Sequence, residues 1–374
     1  MHSTPPPKVT DRINRLIPYR PGKPTDEVKR ELGLSDVIKL ASNENSLGPS
    51  PMALQAVREK LSLIHNYPDS GCFELCQKVA DKLDVSRENL VFGNGSDDII
   101  DLLGVTYLEP GDEVITGDPS FVRYEAAAIL NQTVCHLVPL RNFSFDLDAM
   151  AARISDRTRI VFIANPNNPT GTIVTKSALE KFIARLPERS ILVLDEAYYE
   201  YVESTDYPNV LDYVRAGCNV VALRTFSKAY GLAGLRIGYA IARPEIAEHL
   251  NRVREPFNVN LVAQIAAAAA LDDSSHLQRT QEANRLGKRQ LADGFHHLHL
   301  KYLPTEANFY WVDVGRDSRE VFDHLLRAGV IVRTGDIFGA PNYIRVTIGT
   351  KGENERFLRG LESILTGKVA GVPS

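Results

Sequence analysis

Short runs of apolar residues alternate with stretches of helical periodicity through the middle of the chain. The runs at 160–164 and 220–223 are almost wholly apolar, whereas the segment at 97–108 repeats its apolar residues at helical spacing. Continuous apolar runs of this length are typical of strands buried on both faces. The alternation predicts an α/β fold with a largely parallel sheet covered by helices on both faces. The predicted strands are 89–92, 113–116, 134–140, 160–164, 191–194, 220–223 and 237–241.

The regions on either side of this alternation have a different character. Pro-rich residues 1–25 predict an irregular arm, and 37–41 predicts a short strand. Ser50 followed by Pro51 predicts a helix start, with helical periodicity continuing to residue 63. After Pro256 the pattern predicts a smaller α+β unit. Its predicted helices are 261–271, 276–295, 318–328 and 353–365, and its predicted strands are 308–314, 330–333 and 343–348.

These changes predict three divisions of the chain. Residues 1–45 are expected to form an N-terminal arm and part of a small domain, 46–258 a large domain, and 259–374 the rest of the small domain. Pro- and Gly-containing segments near 18–24 and 254–258 are the expected crossing points between the two units.

Composition and charge exclude several classes of protein. The 374 residues are 44% hydrophobic and 24% charged, as in ordinary globular proteins. A net charge of -4 argues against a dedicated nucleic-acid binder. No uncharged apolar run approaches membrane-spanning length, and the polar N-terminus does not resemble a secretory signal. The four cysteines are interpreted as reduced thiols of a cytoplasmic protein, and no metal site is expected.

A lysine directly after a predicted strand is the first candidate for chemistry. The motif Phe-Ser-Lys-Ala occupies 226–229, just beyond the strand at 220–223. Partial burial near other cations would help the Lys228 amine lose its proton and attack an aldehyde. Ser227 and Arg236 could both reach a phosphate. A surface lysine in a turn is the alternative interpretation.

Two further strand ends carry polar side chains. Asp195 ends the apolar strand at 191–194, and a carboxylate in that position needs a partner such as a protonated ring nitrogen or an arginine. Tyr198 follows, and its hydroxyl could bond a phenolic oxygen or simply belong to the core. Asn168 lies in the dense turn at 165–171, which is either a rigid turn alone or a support for an amide that faces a ligand.

Two weaker patterns complete the candidate site. Gly95 and its neighbours at 93–97 enter a helix, where backbone N–H groups and the helix dipole favour an anion. The segment lacks the third glycine of a dinucleotide fingerprint and the Gly-Lys-Ser/Thr of a P-loop. Arg333 and Arg345 each lie in apolar runs of neighbouring predicted strands, where they could face a ligand or point outward from an edge.

Taken together and in this order, these motifs resemble the pyridoxal-phosphate-dependent aminotransferases of fold type I, and within them the histidinol-phosphate aminotransferases. The resemblance extends from Tyr19 to Thr350, and includes 40–45 (Leu-Ala-Ser-Asn-Glu-Asn), 67–69 (Tyr-Pro-Asp) and 224–229 (Arg-Thr-Phe-Ser-Lys-Ala). It implies a fold type I architecture, in which a large cofactor-binding domain with a mostly parallel seven-stranded sheet accompanies a small α+β domain.

The resemblance also implies roles for individual residues. Lys228 would hold pyridoxal 5'-phosphate covalently and move the substrate proton, Asp195 would face the pyridine nitrogen, and Tyr198 the phenolic oxygen, with Asn168 beside it. The implied phosphate-binding residues are Gly95, Ser96, Asp97, Thr225, Ser227 and Arg236. Phe121 would stack on the ring, although many relatives have tyrosine there. The implied substrate-binding residues are Tyr19, Asn45, Tyr67, Asn168, Arg333 and Arg345, with Tyr67 reaching the neighbouring subunit of a homodimer and its bound cofactor.

The implied reaction converts L-histidinol phosphate and 2-oxoglutarate to imidazole-acetol phosphate and L-glutamate, in histidine biosynthesis. Two enzymes on the same scaffold are alternatives: an aromatic amino-acid aminotransferase and a phosphothreonine-type decarboxylase. A regulator that uses the fold only as a sensor would need an added DNA-binding module. The Pro-rich arm of about 25 residues leaves no room for such a module.

Overall fold

A computed structural model describes residues 7–18 and 22–367 of the chain. Its largest element is a seven-stranded sheet with the order β2-β8-β7-β6-β5-β3-β4. β8 runs antiparallel to both of its neighbours and the remaining pairs are parallel, which confirms the predicted mostly parallel sheet. The strands are β2 (Leu90–Gly93), β3 (Glu113–Asp118), β4 (Val134–Pro139), β5 (Thr158–Ala164), β6 (Ile191–Asp195), β7 (Val220–Thr225) and β8 (Gly238–Ile241).

The central strands are apolar because both faces of the sheet are covered. Every residue of β6 and of β7 is buried. Successive side chains of a strand point to opposite faces, so consecutive buried positions require cover on both sides. The helices that precede, connect or cover these strands are α1 (Asp11–Arg15), α3 (Pro51–Lys60), α4 (Phe73–Leu83), α5 (Ser96–Tyr107), α6 (Arg123–Leu130), α7 (Leu147–Ala151), α8 (Lys176–Ile183), α9 (Val210–Arg215), α10 (Pro244–Val253) and α11 (Leu261–Asp272). Helix α2 (Thr25–Leu32) packs instead with the smaller unit, because its buried Val28 lies in an apolar cluster with Leu326 and Ile331. Short 3-10 turns lie at Leu61–Leu63, Arg87–Asn89, Tyr199–Tyr201 and Ala233–Leu235.

The start of α3 follows the predicted capping chemistry. The Ser50 hydroxyl accepts hydrogen bonds from the backbone N–H groups of Met52 and Ala53, and Pro51 is the first helical residue. Proline suits that position because its missing N–H would have no helical partner there. The helix ends at Lys60, and the rest of the predicted stretch to residue 63 is a 3-10 turn.

Helix α11 packs with the large unit, although the predicted division at residue 258 placed it in the small one. Its buried alanines, including Ala263 and Ala267, belong to the same apolar core as the seven-stranded sheet. It also packs directly against α3 and α4. Small side chains allow this close approach of helices, so the alanine run marks a helix contact.

The smaller unit is built from both ends of the described chain. A four-stranded antiparallel sheet has the order β12-β13-β10-β9. Ile38 and Lys39 pair in parallel with the strand at 330–331 and so tie the N-terminal segment to this unit. The elements are α12 (Ser274–His297), α13 (Ser318–Arg327), α14 (Lys351–Thr366), β1 (Ile38–Lys39), β9 (Lys301–Tyr302), β10 (Phe309–Asp313), β11 (Val330–Ile331), β12 (Arg333–Thr334) and β13 (Tyr343–Thr347), with a 3-10 turn at Asp336–Phe338.

Two predictions about this unit need correction. The segment 330–333 was predicted as one strand, but it is split into β11, which pairs with β1, and β12, which pairs with β13. The arm at 1–25 was predicted as irregular, but it contains α1 and the start of α2. Helix α1 has five residues, none of them buried, so no apolar periodicity marked it. Within the described ranges, no helix is both long and apolar enough to cross a membrane.

Candidate active site

The candidate residues gather along one edge of the seven-stranded sheet. β5, β6 and β7 are parallel neighbours, so their carboxyl ends meet at the same edge. β2 runs in the same direction, because it and β7 are both antiparallel to β8. This topology brings Gly95, Asp195 and Lys228 to one place from distant parts of the sequence.

Lys228 lies three residues beyond the end of β7, with its amine in the interior. The Nζ atom donates a hydrogen bond to the Ser42 carbonyl oxygen at 2.9 Å and lies 5.8 Å from the centre of the Tyr198 ring. Burial, together with the nearby Arg345 guanidinium, lowers the pKa of this amine to about 8. A lysine with this pKa is deprotonated far more often near neutral pH than an ordinary lysine, and the neutral amine is the form that acts as a nucleophile or base.

Asp195 is a buried carboxylate supported only by neutral donors among the described residues. Its Oδ2 accepts from the Tyr124 hydroxyl at 2.7 Å, and its Oδ1 accepts from the Ala197 backbone N–H at 3.1 Å. Burial raises its pKa to about 6. A carboxylate in this setting gains most from a cationic partner, and the protonated ring nitrogen of pyridoxal phosphate is one. The site therefore fits that cofactor.

A second cluster is suited to a phosphate group. Gly95 has φ +85°, and a Cβ atom there would lie 2.6 Å from the Arg236 guanidinium. That guanidinium also contacts Ser227 Oγ at 3.4 Å and Asp97 at 3.5 Å. Ser96 is the first residue of α5, whose N-terminal N–H groups favour an anion. Glycine at 95 thus lets backbone, guanidinium and hydroxyl converge on one small space.

Thr225, the last residue of β7, supports the same cluster. Its hydroxyl accepts a hydrogen bond from the Ser227 backbone N–H at 3.0 Å. This contact fixes the turn that separates the strand from Lys228. The structure thus brings together all six residues predicted to surround the phosphate.

The residues predicted around the cofactor ring are also close to the sheet edge. The Tyr198 hydroxyl accepts a hydrogen bond from the Asn43 side-chain amide at 2.9 Å. The side-chain oxygen of Asn168 accepts from Arg345. Phe121 is half-buried and meets Tyr124 edge-on, with 5.7 Å between the ring centres.

The two predicted arginines are direct partners across β12 and β13. Arg333 pairs in register with Arg345, so their side chains leave the sheet on the same face. Arg345 is buried, donates to the Ala41 carbonyl oxygen at 2.5 Å and lies 5.4 Å from the centre of the Phe309 ring. Through its hydrogen bond to Asn168, Arg345 links β13 of the small unit to the turn that follows β5.

The predicted substrate contacts of three further residues are not tested by the structure. Tyr67 is 82% exposed and stacks on Phe257, with ring centres 4.7 Å apart. The Asn45 amide donates to the Ala229 carbonyl oxygen and to the Thr280 hydroxyl. Tyr19 lies outside the described residues. The substrate contacts predicted for these three residues stay predictions.

Two residues that contact the predicted site were missed from the sequence. Tyr124 follows Phe121 by three residues, and nothing in that spacing reveals its bond to Asp195. Asn43 lies in the 40–45 motif and has φ +56°, a conformation that asparagine tolerates better than most residues. Its neighbours Ala41 and Ser42 contribute only carbonyl oxygens, which no side-chain pattern can reveal.

Comparison with known proteins gives a consistent result. The sequence profile of the family described as aminotransferase class I and II matches residues 35–361. The histidinol-phosphate aminotransferase of Moorella thermoacetica is 58% identical over 360 residues, covering 96% of this chain and 93% of that protein. Histidinol-phosphate aminotransferase 2 of Pseudomonas aeruginosa is 47% identical over 94% of this chain and 96% of its own length.

A solved structure is similar over nearly the whole chain. The histidinol-phosphate aminotransferase from Sinorhizobium meliloti in complex with pyridoxal-5'-phosphate superposes with a TM-score of 0.89 at 27% identity. The match covers 97% of this chain and 98% of that one. Aspartate aminotransferase from Thermus thermophilus with maleate, at 24% identity and a TM-score of 0.82, has the same fold.

Proposed function

The chain belongs to the class I and II aminotransferase family, and on that premise we propose that it transfers the amino group of L-histidinol phosphate to 2-oxoglutarate. The products are imidazole-acetol phosphate and L-glutamate, and the reaction belongs to histidine biosynthesis. The observation that carries the proposal is the 58% identity over almost the full length to a protein of that name. Arg333 and Arg345, which are register partners on one face of the small sheet, would supply the anion-binding chemistry that such substrates need.

The cofactor of this enzyme is pyridoxal 5'-phosphate, and the sheet edge supplies a group for each of its parts. When bound, pyridoxal phosphate supplies an aldehyde carbon and a ring that accepts electrons from the substrate. Lys228 would hold the aldehyde carbon, Asp195 the pyridine nitrogen, and Tyr198 with Asn168 the phenolic oxygen. The phosphate would lie between Arg236 and the residues Gly95, Ser96, Asp97, Thr225 and Ser227, and Phe121 would stack on the ring.

The protein's own contribution to the reaction rests chiefly on Lys228 and Asp195. An amine whose pKa is about 8 can accept the proton of the reacting substrate carbon and return it near neutral pH. Asp195 is already buried and oriented by Tyr124, so it needs little reorganisation to stabilise a positive ring nitrogen. The two residues would therefore act on opposite ends of the same cofactor.

Arg333 and Arg345 are proposed to bind the acidic ends of both substrates. Histidinol phosphate carries one phosphate dianion, whereas glutamate carries two carboxylates, so a single rigid guanidinium could not match both equally well. Two guanidinium groups that leave the same face of the sheet could share the phosphate or divide the carboxylates, because the planar fork of arginine makes paired hydrogen bonds to either anion.

A direct experiment tests the substrate assignment. The purified protein is supplied with 2-oxoglutarate and one donor at a time: L-histidinol phosphate, L-histidinol, L-phenylalanine or L-tyrosine. We expect glutamate to form fastest with histidinol phosphate, without release of carbon dioxide. Arg333→Ala should reduce single-turnover rates much more with histidinol phosphate than with histidinol. Faster reaction with the aromatic amino acids, or equal losses for both histidinol donors, would contradict the assignment.

The active form is proposed to be a homodimer in which Tyr67 completes the neighbour's site. Tyr67 is 82% exposed, and its stacking partner Phe257 is 41% exposed. Leu61, Leu63 and Ile64 in the preceding segment are exposed as well. Exposed apolar residues clustered along one segment favour contact with another protein surface.

The four cysteines are free, which supports the proposed cytoplasmic location.

Subunit mixing tests the dimer proposal. Tyr67→Ala and Lys228→Ala should each be severely impaired alone. After mixing and verified subunit exchange, one of the two sites in a hybrid dimer carries neither substitution, so activity should return in part. No recovery from two impaired variants would argue that Tyr67 acts within its own chain.

A further inference from the structure

A short hydrogen-bond chain connects the small unit to Tyr198. The backbone N–H of Asn43 donates to the Thr347 hydroxyl at 2.9 Å, and that hydroxyl donates to the side-chain oxygen of Asn43 at 3.1 Å. The side-chain nitrogen of Asn43 then donates to the Tyr198 hydroxyl at 2.9 Å. All three residues are buried, so the chain is shielded from exchange with bulk solvent.

The directions of these bonds follow from giving the Thr347 proton an acceptor. A backbone N–H can only donate, so the Thr347 oxygen must accept from it. The Asn43 side-chain oxygen is the acceptor for the Thr347 proton, and a turned-over amide would leave that proton without an acceptor among the described residues. The NH2 end faces Tyr198 and has no lone pair to offer, so the Tyr198 oxygen accepts. The Tyr198 proton must therefore point away from Asn43.

We propose that Asn43, locked by Thr347, is a positioning residue that makes Tyr198 a hydrogen-bond donor toward the phenolic oxygen of the cofactor. This inference rests on the proposed function, because it concerns how the chain treats bound pyridoxal phosphate. An asparagine that could turn over would offer its carbonyl oxygen to Tyr198 and compete for that proton. Thr347 disfavours that orientation, because its own proton would lose the Asn43 oxygen as an acceptor.

Thr347 lies on the same strand as the predicted substrate-binding residue Arg345. Thr347 follows Arg345 by two residues on β13, so both side chains leave the strand on the same face. The strand that carries the buried guanidinium thus also carries the hydroxyl that orients Asn43. The left-handed backbone of Asn43, with φ +56°, turns its side chain to Tyr198 while its N–H stays on Thr347.

The test is a pH titration of the visible absorbance of the cofactor-loaded protein, made without substrate. A hydrogen bond donated by Tyr198 stabilises negative charge on the phenolic oxygen, so its loss lets the Lys228 nitrogen keep its proton to a higher pH. Thr347→Val has nearly the same shape without the hydroxyl, and we expect it to raise the titration midpoint by up to about one pH unit. Thr347→Ser retains the hydroxyl and should leave the midpoint unchanged.

A second pair of variants separates the effect of the Tyr198 proton's orientation from the effect of a new negative charge at residue 43. Asn43→Asp offers Tyr198 only acceptor oxygens, so it should raise the midpoint at least as much as Thr347→Val. The same change in a Tyr198→Phe background has no phenolic proton to capture, and there its effect should be much smaller. Equal shifts in both backgrounds, or the same shift for Thr347→Ser and Thr347→Val, would overturn the proposal. Because no substrate is present, a wrong substrate assignment would leave these outcomes intact and would show only in the donor comparison.

Discussion

Replacing Tyr124 with phenylalanine removes one oxygen atom beside Asp195 and leaves the ring in place. The ring is fully buried and stacks on Phe162, with 4.7 Å between the ring centres. The hydroxyl donates to Asp195 Oδ2 at 2.7 Å and lowers the pKa of that carboxyl group against the larger opposing effect of burial. Tyr124→Phe should therefore raise the pKa of Asp195 above its present value of about 6.

The sign of the stability effect follows from the two states of Asp195. Unfolded aspartate titrates near pH 3.9, so the folded protein holds the proton more tightly between that value and about 6. This contribution is fully present below the unfolded pKa and is lost as the pH rises through the folded pKa, by about 3 kcal/mol in total. A charge-assisted hydrogen bond contributes about 1.5–3 kcal/mol. In Tyr124→Phe, the stability lost when Asp195 ionises should therefore be larger by about that amount, and the difference from the unmodified protein should appear mainly above pH 6.

The assay is urea unfolding of the cofactor-free protein at one protein concentration, between pH 5 and pH 8.5. Tyr213→Phe is a matched control, because the buried Tyr213 hydroxyl has no hydrogen-bond partner among the described residues. That control should be nearly neutral at every pH. Tyr124→Phe should lose little stability at pH 5 and progressively more toward pH 8.5. An equal loss at both ends of the range would refute the argument that Tyr124 acts on the ionisation of Asp195.

Three further substitutions test the cofactor site. Lys228→Ala should abolish turnover and the visible absorbance of the bound cofactor, and full activity would rule out the assigned role. Asp195→Asn keeps the shape without the charge and should reduce kcat by about 100-fold or more; a rate near that of the unmodified protein would make Asp195 a structural carboxylate. Gly95→Ala should displace Arg236 and weaken cofactor binding in a dialysis assay, because the new Cβ would lie 2.6 Å from the guanidinium at φ +85°. Gly111→Ala has a similar φ of +96° with nothing within 4 Å of the new Cβ, so it should leave cofactor affinity unchanged, and equal losses from the two variants would implicate backbone strain.

The elements that could be predicted from sequence are those whose buried residues follow a regular pattern along the chain. Strands β5 to β7 are covered on both faces, so their residues form continuous apolar runs that sequence alone displays. Helix α1 has no buried residue and gave no such signal. The assignment of α11 failed for a different reason, because an alanine-rich segment indicates close helix packing without indicating which helices it packs against.

The sequence by itself determined which residues are the candidates for the chemistry of this protein. Lys228, Asp195 and the glycine at 95 each follow a recognisable strand, and parallel strands bring their carboxyl ends to one edge. The tertiary structure decided how these groups are tuned. The pKa values of Lys228 and Asp195 depend on burial and on neighbours distant in sequence. The partnership of Asn43 with Thr347 joins residues 304 positions apart, and the direction of its hydrogen bonds follows from which donors and acceptors the fold brings together.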